Sequence, residues 1–390
     1  MSRKPLVLLA AALLVLLPDT LAAQRRGWDD DDDQGKFGEP SHFAINLRVD
    51  GVGLSIGNSA RHAGLRLNWS DAGLDRITGV NLTLWKGGRP NSGSVSGLAL
   101  GVAGPAAGTI NGIAIGLGGV VTRDLMSGIA VGGLGVVSNG DIRAITLAGL
   151  GAVANHDFHG LGIAGLGVVA NNDFDGIAIS GLGVVANRDL RWLSIAGLGA
   201  VANHDMEGLS IAGLGVVANN DIRGVALSGV GVVANGDMSG IAISGLGTVT
   251  NGAFRGFAVG GLGMVANGGI SGVAVGGLGV VTDGTLNGGA VSLYKVRARE
   301  LHGVSIAGVH LRTNYLTGVG IGAYNQVRRV QVGLTIGLLN YARELHGVQI
   351  GVLNIARNNR WPWKVLPLLN VHLPRTPIED EDGWDEGDER

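Results

Sequence analysis

Between Gly128 and Leu286 the chain repeats one 16-residue pattern of apolar and polar positions. A representative copy is Gly176-Ile-Ala-Ile-Ser-Gly-Leu-Gly-Val-Val-Ala-Asn-Arg-Asp-Leu-Arg191. With Gly176 as position one, position two is large and apolar (Leu161, Ile177, Leu193, Leu209, Val225, Ile241). Position four is equally so (Ile163, Ile179, Ile195, Ile211, Leu227, Ile243). Position three between them stays small: Gly162, Ala178, Ser194, Ser210, Ala226, Ala242. Such alternation predicts a strand with one packed face. Taking the large residues as the packed set turns the small ones outward.

The alternation slips at the Gly-Leu-Gly step, which recurs at Gly133, Gly149, Gly165, Gly181, Gly197, Gly213, Gly245, Gly261 and Gly277. A glycine where the period breaks predicts a corner or bulge. A second apolar segment follows, with Val169, Val185, Val201 and Val217 at one position. An Asn-x-Asp turn then leads to a large apolar residue (Phe174, Leu190, Met206, Ile222). Asn and Asp suit tight turns because they bond locally to backbone N–H groups.

Two strands and two corners in strict register predict an all-β fold, a β-solenoid of about 20 short coils over residues 43–357. Coils of 14–18 residues would stack about 4.8 Å apart, lining up an Asn ladder from Asn155 to Asn267. Earlier units start at Gly51, Gly64, Gly79, Gly97 and Gly112, and later ones shorten at Gly303, Gly318, Gly333 and Gly347. Residues 358–373, with Trp361-Pro-Trp-Lys364, are expected to close the stack as a cap. No proline falls between Pro105 and Pro362, in keeping with unbroken ladders. The alternative is a transmembrane β-barrel in which each unit is one spanning strand. Against it stand the mid-strand break in alternation, uniformly short loops, and the lack of any Tyr before Tyr294 for an aromatic girdle.

Composition narrows the class. The chain has 71 Gly but is 46% hydrophobic, which separates it from disordered linkers. A net charge of −2 and the lack of a basic cluster exclude nucleic acid as the expected partner. Cysteine is absent, so packing and backbone pairing must supply the stability. Residues 1–23 have a basic start, an apolar core from Leu6 to Leu17 and small residues at Ala22 and Ala23, the pattern of a secretory signal peptide. Residues 24–42, with Asp29 to Asp33, predict an acidic disordered linker, and residues 374–390 an acidic disordered tail.

Candidate chemistry is sparse. Gly-Leu-Gly-Val-Val-Ala formally matches a dinucleotide fingerprint, but no helical pattern follows it. The histidines form no ligand set, and no Ser/His/Asp arrangement emerges, so no enzyme is expected. A polysaccharide-active β-helix enzyme ranks third, because coils this short leave little room for projecting loops. Asp157, Asp173, Asp189, Asp205, Asp221 and Asp237 would form one carboxylate column, a candidate calcium-binding edge. No other cofactor is implied. With the small residues outward, Ala178, Ser194, Ser210 and Ala226 would form a flat interaction strip.

At the ends a resemblance emerges. Gly333-Leu-Thr-Ile-Gly-Leu-Leu-Asn340 and Gly347-Val-Gln-Ile-Gly-Val-Leu-Asn354 are similar to the G-x-Q-I-G-L-x-N units of bacterial surface-repeat proteins. Gly79-Val-Asn-Leu-Thr-Leu-Trp85 resembles them too, while the central array departs from the pattern. The resemblance implies an exported bacterial envelope protein and supplies no catalytic residues. The expectation is a non-enzymatic structural or adhesive protein in the periplasm, at the cell surface or at the outer membrane. Its partners would be copies of itself or an envelope polymer, with membrane association as a further option.

Overall fold

The computed structural model describes residues 44–49, 52–71, 73–85 and 92–373. The expected signal peptide, the acidic linker 24–42 and the acidic tail 374–390 lie outside the described residues.

The described chain is an all-β solenoid. In the central array each coil contributes a long strand, such as Phe174–Ser180, and a short one, such as Gly183–Ala186. Like strands of successive coils pair in parallel without register drift. Gly160 opposes Gly176, Ile177 opposes Leu193, and Val185 opposes Val201. Spanning barrels instead pair antiparallel neighbours, so the barrel alternative gives way to the solenoid. After Gly288 the corners tighten, and strand geometry continues unbroken through Glu300–Ala356.

The first parallel step pairs Gly53 with Gly64, so the opening unit is registered on Gly53 rather than on the expected Gly51. Both ends of the stack reverse direction. Ala44–Val49 lies antiparallel on Val52–Gly57. Val365–His372 lies antiparallel on the last coil, with His372 opposite Gly347 and Val365 opposite Ile355. The latter strand carries Pro367 at a register shift, and a proline there withholds the N–H that a further strand would need.

The inside of the coil reverses one expectation. Ala178, Ser194, Ser210 and Ala226 are buried, as are position-five residues such as Ser180 and Ala196. Ile177 and Ile179 face outward instead. The proposed strip of small residues is therefore a core column. The reason is volume. Residues just beyond the Asp turn (Phe158, Phe174, Leu190, Met206, Ile222) are buried and face Val168, Val184 and Val216 of the short strands. With those large groups inside, the narrow coil has room only for small residues, Ala, Ser, Gly or Thr, in the remaining inward positions. Phe158 and Phe174 stack with centroids 4.8 Å apart.

The glycines of position one are set by backbone proximity. Gly176 has φ 145°, and a Cβ there would lie 2.0 Å from the carbonyl oxygen of Gly160. Toward each end the core turns polar. Fully buried Arg66 donates to Asp71 at 2.9 Å and to Asn81 at 2.8 Å, while Asn68 and Thr83 donate to the same Asp71 oxygen. At the other end Asn325, Asn340 and Asn354 form a buried amide ladder with 2.7 Å steps. These bonds offset part of the cost of burying polar groups, although Arg66 Nε and Nη2, Asn68 Oδ1 and Asn325 Oδ1 are buried without a hydrogen-bond partner.

Candidate functional site

Charge is confined to one edge of the array. From Ile129 to Thr282, positions two to eleven of every coil hold no charged residue. Outward members of that stretch are positions two and four of the long strand, the corner leucine at position seven and the valine at position ten. Ile177 is 41% exposed and Leu182 44%, and their counterparts include Ile241, Phe257, Leu246 and Leu262. Positions twelve to fourteen and sixteen carry the Asn, Asp, Arg, His and Glu residues. The solenoid is therefore amphipathic across its section.

The polar edge is built from two ladders. In the first, each Asn Nδ2 donates to the Oδ1 of the Asn one coil earlier, as in Asn171 to Asn155 at 3.0 Å and Asn203 to Asn187 at 2.9 Å. This ladder runs from Asn139 to Asn267, one coil beyond the expected start. In the second, Asp Oδ1 accepts the backbone N–H of the Asp one coil later: Asp189 from Asp205 at 3.1 Å, Asp221 from Asp237 at 2.8 Å. The second carboxylate oxygen meets arginine at several steps, with Asp205 3.2 Å from Arg223 and Asp237 3.2 Å from Arg255. Asp157, Asp173, Asp189, Asp205, Asp221 and Asp237 thus share one column, as predicted, and spend much of their acceptor capacity on structure.

Side chains converge most closely on the coils at Asp189 and Asp205. Among the described residues, Asp189, His204 and Asp205 bring three potential ligand atoms within 4.8 Å of one another. His204 Nδ1 lies 2.6 Å from Asp189 Oδ1, and Asn220 donates to Asp205 at 2.6 Å. Burial pushes the Asp189 carboxyl upward, but hydrogen bonds from His204 and the Asp205 amide, with nearby Arg191, hold it below its ordinary value. The hydrogen bond to Asp189, then the charge of Asp205, raises His204 above its ordinary value. A divalent cation at this point would compete with Arg191 and protonated His204 for the same oxygens.

Two further features escape the repeat pattern. Trp192 occupies position one, where the flanking coils have Gly176 and Gly208, and it keeps a positive φ of 84° while 72% exposed. Nearer the start, Leu67, Trp69, Leu82, Leu84, Leu100 and Ile115 line an open apolar groove of about 730 Å³ on the outer face. The outward columns carried a sequence signal: position sixteen is polar or charged (Asp175, Arg191, Glu207, Arg223) and shares strand parity with positions two and four. Trp192 is visible as the one aromatic in a column otherwise made of glycine and Ala144 across the array.

No protein-family model, curated protein or solved structure matches this chain.

Proposed function

We propose that the protein is a non-enzymatic, exported structural or adhesive component of the bacterial envelope that works by lateral association through its outer repeat surface. The observation that carries this reading is the run of ten charge-free positions per coil, with large apolar side chains exposed in straight columns. A contiguous apolar face of this kind marks an interaction surface. The favoured occupant is a second copy of the chain. A flat sheet face presenting Ile, Leu and Val can pack against its like as two sheets of a sandwich do, about 10 Å apart. At about 4.8 Å per coil the charge-free coils give a strip roughly 50 Å long and 10 Å wide. The position-two and position-four columns continue past Leu98 and Leu100 on one side and reach Val348 and Ile350 on the other. That extension brings the strip near the roughly 800 Å² per partner of a stable interface. A net charge of −2 adds little repulsion between copies.

A second reading is supported by the corner leucines. Leu134, Leu150, Leu166, Leu182, Leu214 and Leu262 form an exposed apolar ridge opposite the charged edge. Such a ridge could enter the outer layer of a lipid bilayer with the charged edge in water.

Sedimentation of the detergent-free protein tests both. Ile177→Lys, Ile241→Lys, Phe257→Lys and Val273→Lys together should yield a folded monomer, whereas the parent associates at micromolar concentration. A monomeric parent, or a variant that still associates, rejects the copy-to-copy reading. Flotation of the parent with lipid vesicles, lost on replacing the corner leucines by Asp, would support the membrane reading instead.

A further inference from the structure

We infer that Trp192 and the polar groups beside it form a saccharide-binding platform, on which one pyranose ring of a linear glycan stacks. Positive φ is strained for a bulky residue, by about 1–3 kcal/mol; elsewhere in the array this position is glycine, or Ala144 without positive φ. Trp192 accepts that strain at φ 84° and recovers little by packing, since 72% of it is exposed. A large aromatic that is both strained and uncovered is poorly explained by folding and well explained by contact with a ligand.

The surroundings define the ligand's chemistry. In register Trp192 lies between Gly176 and Gly208, so the coils on either side leave the space around the indole open. On one flank stands the apolar column Ile177, Leu193 and Leu209. On the other stand Asp175, Arg191 and Glu207, directly opposed in register, with Arg223 2.9 Å from Glu207. Arg191, Glu207 and Arg223 are all partly exposed. An aromatic face bordered by paired planar donors and acceptors suits a molecule with one C–H face and a rim of hydroxyls. A pyranose has that form. A glycan chain extended along the solenoid advances one sugar over a distance similar to one coil, about 4.8 Å. This places successive rings over Gly176, Trp192 and Gly208. The nearly neutral mixture of Arg and carboxylate favours an uncharged sugar over a polyanion.

The test uses the full chain with chitotetraose, cellotetraose and maltotetraose as probes, followed by titration calorimetry. Binding of at least one at millimolar concentration is expected. Trp192→Gly restores the residue of the flanking coils, so it should weaken binding about tenfold or more while leaving the melting temperature unchanged or higher. Trp192→Phe should keep an intermediate affinity. The inference fails if none of the three sugars binds, or if Trp192→Gly binds as well as the parent. It also fails if Trp192→Gly lowers the melting temperature, which would make the indole a folding element, or if Trp192→Phe binds no better than Trp192→Gly. Because Trp192→Gly leaves the position-two and position-four columns intact, loss of sugar binding with unchanged sedimentation separates this site from lateral association.

Discussion

The tightness of the coil interior makes a quantitative prediction at one pair of positions. Phe158 is the largest residue type in its inward column, and position three of the same coil is Gly162 rather than Ala or Ser. A Cβ on Gly162 would lie 2.9 Å from Phe158 Cζ and 3.1 Å from Val168 Cγ1. The ring has little room to retreat, being fully buried and stacked on Phe174 at 4.8 Å. Gly162→Ala should therefore cost about 1–3 kcal/mol through overpacking. Without the clash, an Ala in a strand would gain about 0.5–1 kcal/mol over Gly. Phe158→Leu alone should cost about 1–2 kcal/mol of lost burial. The double variant imitates the pairing at Leu190 and Ser194, where a smaller core residue accompanies a larger position-three residue. Its new methyl occupies volume the ring has left, so its cost should fall about 1–2 kcal/mol below the sum of the two. Urea unfolding of the four proteins, compared at midpoint with a common slope, measures this. Strict additivity would refute the claim that these two side chains share one inward space.

Three other outcomes follow from the same geometry. Ala226→Lys puts an ammonium at a fully buried position and should unfold the central coils, seen as loss of the far-ultraviolet strand signal at ambient temperature. The His204–Asp189 contact should show a pH window: His204 is raised, so its contribution is complete below its ordinary 6.5 and fades as pH climbs through the folded value. Asp189 is lowered, so its share is present above 3.8 and is lost as pH falls through its folded value. His204→Ala should therefore lower the melting temperature at pH 5 to 6 and make no difference in alkaline buffer. Millimolar calcium should leave the melting temperature unchanged, because the Asp oxygens already serve backbone N–H groups and arginines; a rise of several degrees would instead support the metal-binding edge.

The sequence made the period, the two strands, the Asn-x-Asp corner and the Asn ladder legible, because each rests on a residue type with one main use. Glycine at position one and Asn at position twelve leave few alternatives when coils stack. The facing of the long strand was harder, since positions two to five are apolar or small on both parities. Preference for burying Ile over Ala points the wrong way when the cross-section is this small. Parity resolves it: Phe174, Ala178 and Ser180 fall on one side and are buried, and charged Asp175 falls on the other with Ile177 and Ile179. Trp192 was equally visible, but its strain and exposure are properties of the folded backbone alone. The buried Arg66–Asp71 cluster joins residues of neighbouring coils that no local pattern links.

Facing can be measured directly because the chain contains no cysteine. Single cysteines at 177, 178, 179, 180, 193, 194, 195 and 196, each treated with a maleimide on the folded protein, read the accessibility of eight positions on two coils. At concentrations low enough to keep the protein monomeric, fast labelling is expected at Ile177→Cys, Ile179→Cys, Leu193→Cys and Ile195→Cys. Protection is expected at Ala178→Cys, Ser180→Cys, Ser194→Cys and Ala196→Cys until denaturant is added. The reverse alternation, or uniform labelling across all eight, would contradict an apolar outer surface wrapped around a core of small residues.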